Sequence, residues 1–264
     1  MDEQSSGLQD GRVLIRRFAS LFVGLWLYGF SMAMMITAGL GLDPWDVFHQ
    51  GVAEHVSLSF GVITAITGAV VLLLWIPIRQ RPGFGTVANV VVIAISVDTS
   101  LAFLPVFDSM PVRAVIMVAG ILLNGLASVL YIGAGMGPGP RDGLMTGLVA
   151  RTGLSVRLVR TSIEIAVLTT GWLLGGTVGV GTVLYAFGIG PTIQFLIKVL
   201  PDSMTAAVTG GRVTERKAKT VGPVSEISVP TGTSAVEAGS PVGEAELNDA
   251  VKVPSNHSGV PTVT

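Results

Sequence analysis

The sequence contains no cysteine, only three histidines, and few charges, with 12% of its 264 residues being Asp, Glu, Lys or Arg. The first absence excludes disulfides, thiolate metal sites, palmitoyl anchors and cysteine nucleophiles. His49, His55 and His257 form no pair at the spacing of a histidine metal motif, so neither a metal centre nor another cofactor is expected. The scarcity of charge falls in a chain that is 50% hydrophobic, with a mean hydropathy of +0.69. That is too apolar for an ordinary soluble domain, and a bilayer is the expected solvent. Also missing are a Gly-Lys-Ser/Thr after either glycine-rich turn, a Gly-x-Ser-x-Gly elbow and a Ser-His-Asp order. A nucleotide-binding loop and a hydrolase are therefore set aside, and neither enzymatic activity nor a nucleic-acid partner is expected.

What the sequence does contain is long apolar runs. After a polar segment (1–11) with Arg12, Arg16 and Arg17 following, an uncharged run covers residues 18–42. It exceeds the roughly 7–15 residues of a signal-peptide core, so it reads as an uncleaved first helix. Five further stretches, at 61–78, 85–106, 112–133, 158–175 and 181–200, each approach the ~20 residues that cross a hydrocarbon layer. Glycine and proline punctuate them, and beyond residue 200 the composition turns to Pro, Ser, Thr, Gly, Glu and Lys without an apolar face. The segment 201–264 is expected to be a disordered tail.

With six crossings, every Lys and Arg except Arg113, out of 16, falls on one side of the membrane. The positive-inside rule then places both termini in the cytoplasm.

A shift of 96 residues aligns the chain with itself without a gap. Gly39, Gly41, Pro44 and Asp46 meet Gly135, Gly137, Pro140 and Asp142; Gly24 and Gly29 meet Gly120 and Gly125; Gly83, Gly85 and Thr86 meet Gly179, Gly181 and Thr182. Apolar residues match by composition alone, whereas glycine, proline and aspartate in one order do not, so a duplication is inferred. Each copy, 12–104 and 105–200, holds three crossings, an odd number, so the second copy must be inserted upside down. The expected fold is thus all-α, a polytopic membrane protein of six transmembrane helices in two inverted three-helix repeats, with short interfacial or re-entrant helices after Pro44 and Pro140.

The run Gly39-Leu-Gly-Leu-Asp-Pro-Trp-Asp-Val-Phe-His-Gln-Gly, then Leu58-Ser-Phe-Gly and Trp75-Ile-Pro-Ile-Arg-Gln-Arg-Pro-Gly-Phe-Gly-Thr-Val-Ala-Asn, closely resembles the YczE/YyaS/YitT family of bacterial integral membrane proteins. The resemblance extends over about residues 12–200. It implies a multi-pass protein of the bacterial cytoplasmic membrane and supplies no reaction.

Candidate functional residues come from polar groups in apolar surroundings. In the paired Gly-x-Gly-x-x-Pro-x-Asp elements, Gly39, Gly41, Gly135 and Gly137 suit tight turns, while Pro44 and Pro140 suit a first helical turn. Asp46 and Asp142 then either cap their own helices or face an ion or solute between the repeats. After Pro44, Trp45, Phe48, Val52 and Val56 recur at helical spacing with Asp46, His49 and Gln50 elsewhere around the axis. The second copy replaces Trp45 by Arg141, which suits an inside surface. Asp98 in the third span is the repeat mate of Gln194 in the sixth, so both either line a hydrophilic path or, for Asp98, lie near enough to the surface to be hydrated. Asn89 is a further path candidate, Tyr28 and Asn124 read as interhelical hydrogen-bonding groups, and Arg160 with Glu164 as an i,i+4 ion pair. Trp26, Trp45, Trp75 and Trp172 include expected interfacial anchors.

Two functions stay open: permease-like movement of a small solute or ion, and assistance to or regulation of a partner protein. A cavity lined by Asp46, Asp142 or Asp98 favours the first, a solid Gly/Ala-packed bundle the second.

Overall fold

In the computed structural model, residues 2–205 are described, and they form helices joined by short turns. These are α1 (Asp2–Ala38), α2 (Pro44–Ala53), α3 (Phe60–Ile78), α4 (Phe84–Phe103), α5 (Met110–Gly133), α6 (Pro140–Thr152), α7 (Val156–Leu173), α8 (Val180–Val199) and α9 (Asp202–Thr205). Five of them are long and apolar enough to cross a membrane: α3, α4, α5, α8 and the Val13–Ala38 part of α1. They leave large apolar side chains such as Leu73, Ile76, Phe103, Val115, Phe187 and Phe195 facing outward. In water such a girdle would drive aggregation; against lipid it is the required surface.

Three expectations need adjustment. The polar N-terminal residues belong to α1 rather than to a separate segment, and α1 stops at Ala38, short of residue 42. Gly39 and Gly41 force that stop, because their φ angles of 59° and 109° leave the right-handed helical region. In α7, the place of the expected fifth crossing, Arg157, Arg160 and Glu164 interrupt the apolar run, and this helix is not among those apolar enough to span. Of the expected tail, residues 202–205 form the short α9, which packs on the end of α5; residues 206–264 lie outside the described residues.

The long α1 and α5 pack along one another at the centre, with α4 against α1 and α8 against α5. Helix α2 lies against α7 and α3, and α6 against α3 and α7. Small residues make these approaches possible. A Cβ on Gly24 would stand 2.7 Å from the Tyr131 nitrogen, and one on Gly120 2.9 Å from Met35 Cγ.

Contacts recur at the 96-residue offset with the partners exchanged. The Gly85 N–H donates to Met136 O at 2.8 Å and the Gly181 N–H to Leu40 O at 2.7 Å. Arg17 donates to Ala134 O and Gly135 O at 2.7 and 2.9 Å, and Arg113 to Ala38 O and Gly39 O at 2.6 and 2.7 Å. Each arginine satisfies carbonyls that the end of a helix leaves without intrahelical donors and places a cation at the negative end of that helix's dipole. The N-caps recur too: Ser59 Oγ accepts from Val62 N at the start of α3, and Ser155 Oγ from Leu158 N at the start of α7.

The exchange fails in one place. α3 packs along α4, with Gly68 against Val90, whereas α7 and α8 do not pack along each other. Position 164, the mate of Gly68, is glutamate, and its side chain faces the resulting space.

Trp75 is fully buried, its indole N–H donating to Pro140 O at 2.9 Å and its ring seated on Gly143. Trp75→Ala is expected to lower stability by about 3–5 kcal/mol through the cavity it leaves. Thermal unfolding of the solubilised protein checks this, and Trp75→Phe should recover most of the packing while still losing the hydrogen bond.

Candidate functional site around Arg141

The site forms where the N-termini of α2 and α6 meet. Asp43, wholly buried, caps α2: its Oδ1 accepts from the backbone nitrogens of Trp45 and Asp46 at 2.9 and 3.1 Å. Asp46 is therefore released from capping. Its Oδ1 stands 3.3 Å from His49 Nδ1, and that nitrogen lies 3.4 Å from Thr64 Oγ1 of α3. Asp142 does not cap α6 either, since that helix has no side-chain cap and Asp142 Oδ2 accepts from the Tyr131 hydroxyl at 2.9 Å.

Helix α2 buries polar residues together with apolar ones. Asp46 and His49 are buried alongside Trp45, Val47 and Gly51, while Phe48 and Val52 are only half-buried and Val56 is exposed. Phe48, Val52 and Val56 instead border an apolar groove of about 660 Å³ between α2, α3 and α7.

Arg141 is the second half's contribution. Its Nη2 donates to Tyr28 OH at 2.6 Å, its Nη1 lies 3.7 Å from Asp43 Oδ1, and its guanidinium sits 5.9 Å from the centre of the Trp45 ring. An arginine suited to an inside surface was expected here, but the residue points into the bundle, held by a counter-ion from the other half. Two cavities adjoin it. One, of about 50 Å³, is lined by Trp45, His49, Thr64, Asn89, Pro140 and Arg141 among others; the second, of about 180 Å³, by Tyr28, Asp43, Tyr131, Arg141, Asp142 and Tyr185, with Arg160 and Glu164 at its α7 wall. Trp45 and Arg141 belong to both.

Burial opposes charge on α2. It pushes the Asp43 and Asp46 carboxyls up to about 6; the neighbouring Asp46 adds to the rise of Asp43, and Arg141 holds both from going further. Burial lowers His49 to about 3, so this imidazole is neutral. Oδ2 of Asp43 and Oδ2 of Asp46 are both buried with no hydrogen-bond partner.

Of the residues singled out from the sequence, Asp142 and Asn89 line the cavities, whereas Asp46 lines neither and touches His49, which lines the smaller one. Asp98 and Gln194 do not join them. Asp98 holds the start of α3, accepting from Ser59 Oγ at 2.5 Å and from Gly61 N at 2.6 Å, and Gln194 is exposed on α8. Asp98→Asn is accordingly expected to cost about 1 kcal/mol in stability and to leave any flux through the protein unchanged. A thermal-shift series run beside flux in the same vesicles checks both parts.

Asn124 makes the expected interhelical bonds, donating to Ser31 on α1 at 2.9 Å and accepting from Tyr185 on α8 at 3.1 Å. Tyr28 joins α1 to α6 through Arg141. The Arg160–Glu164 pair forms at 2.9 Å. Trp26 and Trp172 are exposed, as anchors must be, whereas Trp45 and Trp75 are buried and serve packing instead.

A family described as Family of unknown function (DUF6198) matches residues 15–198, the whole of the helical region around this site. The chain belongs to the DUF6198 family. A Bacillus subtilis relative described as uncharacterized membrane protein YczE is 32% identical over 193 residues, covering 72% of this chain and 88% of the relative. A Haemophilus influenzae relative described only as an uncharacterized protein is 38% identical over 180 residues, covering 68% and 83%. The resemblance read from residues 39–89 is thus borne out, and with its apolar helices this DUF6198 protein is a membrane protein. No solved structure matches it.

Proposed function

We propose that this DUF6198 protein is a permease-like protein of the bacterial cytoplasmic membrane that moves a small solute or ion past Arg141. The observation that carries the reading is the meeting of two short helices, N-terminus to N-terminus, where a half-buried Arg141 faces a wholly buried Asp43 and lines two cavities. Short helices that bring their amide ends together in the interior form a site where backbone dipoles and a few charges address a solute.

An inverted repeat of six crossings, both termini cytoplasmic, is the architecture that goes with this function. The exchanged hydrogen bonds at the 96-residue offset and the one-sided distribution of Lys and Arg support it. α7 would be the fifth of the six crossings, its Arg157, Arg160 and Glu164 facing the cytoplasmic end or the cavity rather than lipid. The unpaired α7–α8 side against the packed α3–α4 side fits one of two alternating states, with the second cavity on the open side. The mechanism involves no catalytic residue, metal or cofactor.

Purified protein in vesicles, screened against a metabolite panel under imposed proton and sodium gradients, is expected to show gradient-dependent uptake of at least one solute. Absence of flux across the panel, from protein that is folded and correctly inserted, would turn the assignment toward a partner-assisting membrane protein.

A further inference from the structure

Two carboxylates and one guanidinium do not balance. If Asp43 and Asp46 were both ionised beside Arg141, one negative charge would remain in a pocket where both side chains are wholly buried. The other titratable or charged groups around the pocket are His49 on the same helix, Tyr28 of α1, Tyr131 of α5, Asp142 of α6, Arg160 and Glu164 of α7, and Tyr185 of α8. Arg160 is already paired with Glu164, and Asp142 adds further negative charge, so none of these supplies the missing cation. The two carboxyl oxygens without a partner, Oδ2 of Asp43 and of Asp46, are where an added positive species would sit.

We propose that Asp43 and Asp46 share one exchangeable proton and pass it between the two cavities, making the proton the coupling ion of the site. The cavities approach the pair through different residues. His49 and Thr64 line the smaller one, with Thr64 Oγ1 3.4 Å from His49 Nδ1 and that nitrogen 3.3 Å from Asp46 Oδ1, while Asp43 itself lines the larger one. A proton entering as hydronium leaves its water, forms an O–H bond on a carboxylate oxygen, and departs by breaking that bond toward water on the other side; no electrons are exchanged. Arg141, common to both cavities, keeps the second carboxylate ionised, so one proton and not two is carried. A solute drawn to Arg141 would compete with Asp43 for the guanidinium and raise the pair's hold on its proton, which links solute to proton.

This deepens the transport reading and takes its physiological meaning from it, but the proton can be seen without transport. Infrared pH-difference spectra of the full chain in lipid nanodiscs are expected to show one protonated-carboxyl band that grows as pH falls, with a midpoint near 6. The band should vanish from that range in both Asp43→Asn and Asp46→Asn. It should approximately double in amplitude in Arg141→Gln and keep single amplitude in Arg141→Lys, which retains the charge. A band of full amplitude in both asparagine variants, or no carboxyl band above pH 5 in the wild type, overturns the proposal. The expected band without proton-driven flux leaves the shared proton in place and removes the transport reading. Flux without the band does the reverse.

Discussion

Arg141→Gln is expected to abolish flux and to destabilise the protein by about 3–5 kcal/mol, the cost of leaving a buried charge without its partner. The substitution removes the donor to Tyr28, the counter-ion of Asp43 and the cation over Trp45 together. Arg141→Lys keeps charge but loses the planar fork, so it should recover part of the stability and little of the flux.

The same variant carries a pH signature. The Asp43–Asp46 pair takes up its proton at about 6 in the folded protein, above the roughly 3.9 of an unfolded aspartate. A folded state with raised carboxyl pKa values binds more protons than the unfolded chain. The stability linked to those protons is complete below about pH 4 and is lost as pH rises through about 6. Wild-type melting temperature should therefore fall between pH 4 and pH 7. Without Arg141 the fall should be steeper and extend to higher pH, since nothing then opposes the rise. A paired Asp43→Asn/Asp46→Asn variant should flatten it. Scanning calorimetry of the nanodisc-embedded protein at four or five pH values reads all three curves, and a wild-type curve flat across this window contradicts the charge assignment.

The second large effect is expected at the paired turns. Gly41 and Gly137 hold φ angles of 109° and 126°, a region that side chains rarely adopt. A Cβ on Gly41 would also lie 2.6 Å from the Gly179 backbone nitrogen, while one on Gly137 meets first the Thr86 hydroxyl at 2.8 Å. Strain at such a backbone position costs on the order of 1–3 kcal/mol before any clash is counted. Gly41→Ala and Gly137→Ala are both expected to reduce the yield of folded protein severely. Gly41→Ala should be the worse, because a hydroxyl can rotate aside and a backbone nitrogen cannot. Gly190→Ala is the control: nothing lies within 4 Å of its added Cβ, and a helical alanine there should be neutral or stabilising. Monodisperse protein recovered after graded heating measures the series, and equal recovery of Gly41→Ala and Gly190→Ala would refute the packing argument.

Helix positions were legible from the sequence because apolar length and glycine or proline punctuation are local signals. The six expected runs lie within one to five residues of α1, α3, α4, α5, α7 and α8 at most of their ends. The site was only half legible, and for a definite reason. The 96-residue register draws the eye to residues with identical mates, such as Asp46 and Asp142. The centre of the site is built from mismatched pairs. Asp43 is the mate of Gly139 and Arg141 the mate of Trp45, so a search for agreement passes over Asp43 and reads Arg141 only as an inside-surface residue. Positions 43 and 141 break the 96-residue register because a counter-ion has to sit opposite a charge and not opposite its like. Asp98 shows the converse: an aspartate within an apolar span reads as a path residue, and only the fold reveals that it secures the start of the neighbouring helix.

The clamps at the ends of α1 and α5 have a consequence for how such a chain comes to exist. Every one of them runs from one half to the other: Arg17 grips the end of α5, Arg113 the end of α1, Gly85 the Met136 carbonyl, Gly181 the Leu40 carbonyl. Each half relies on the other for part of what holds its turn. A gene fragment ending near residue 104 would yield a product with stranded carbonyls at its broken turn, stable only if a second polypeptide supplied the missing donors. Split expression of the two fragments should therefore rescue both or neither.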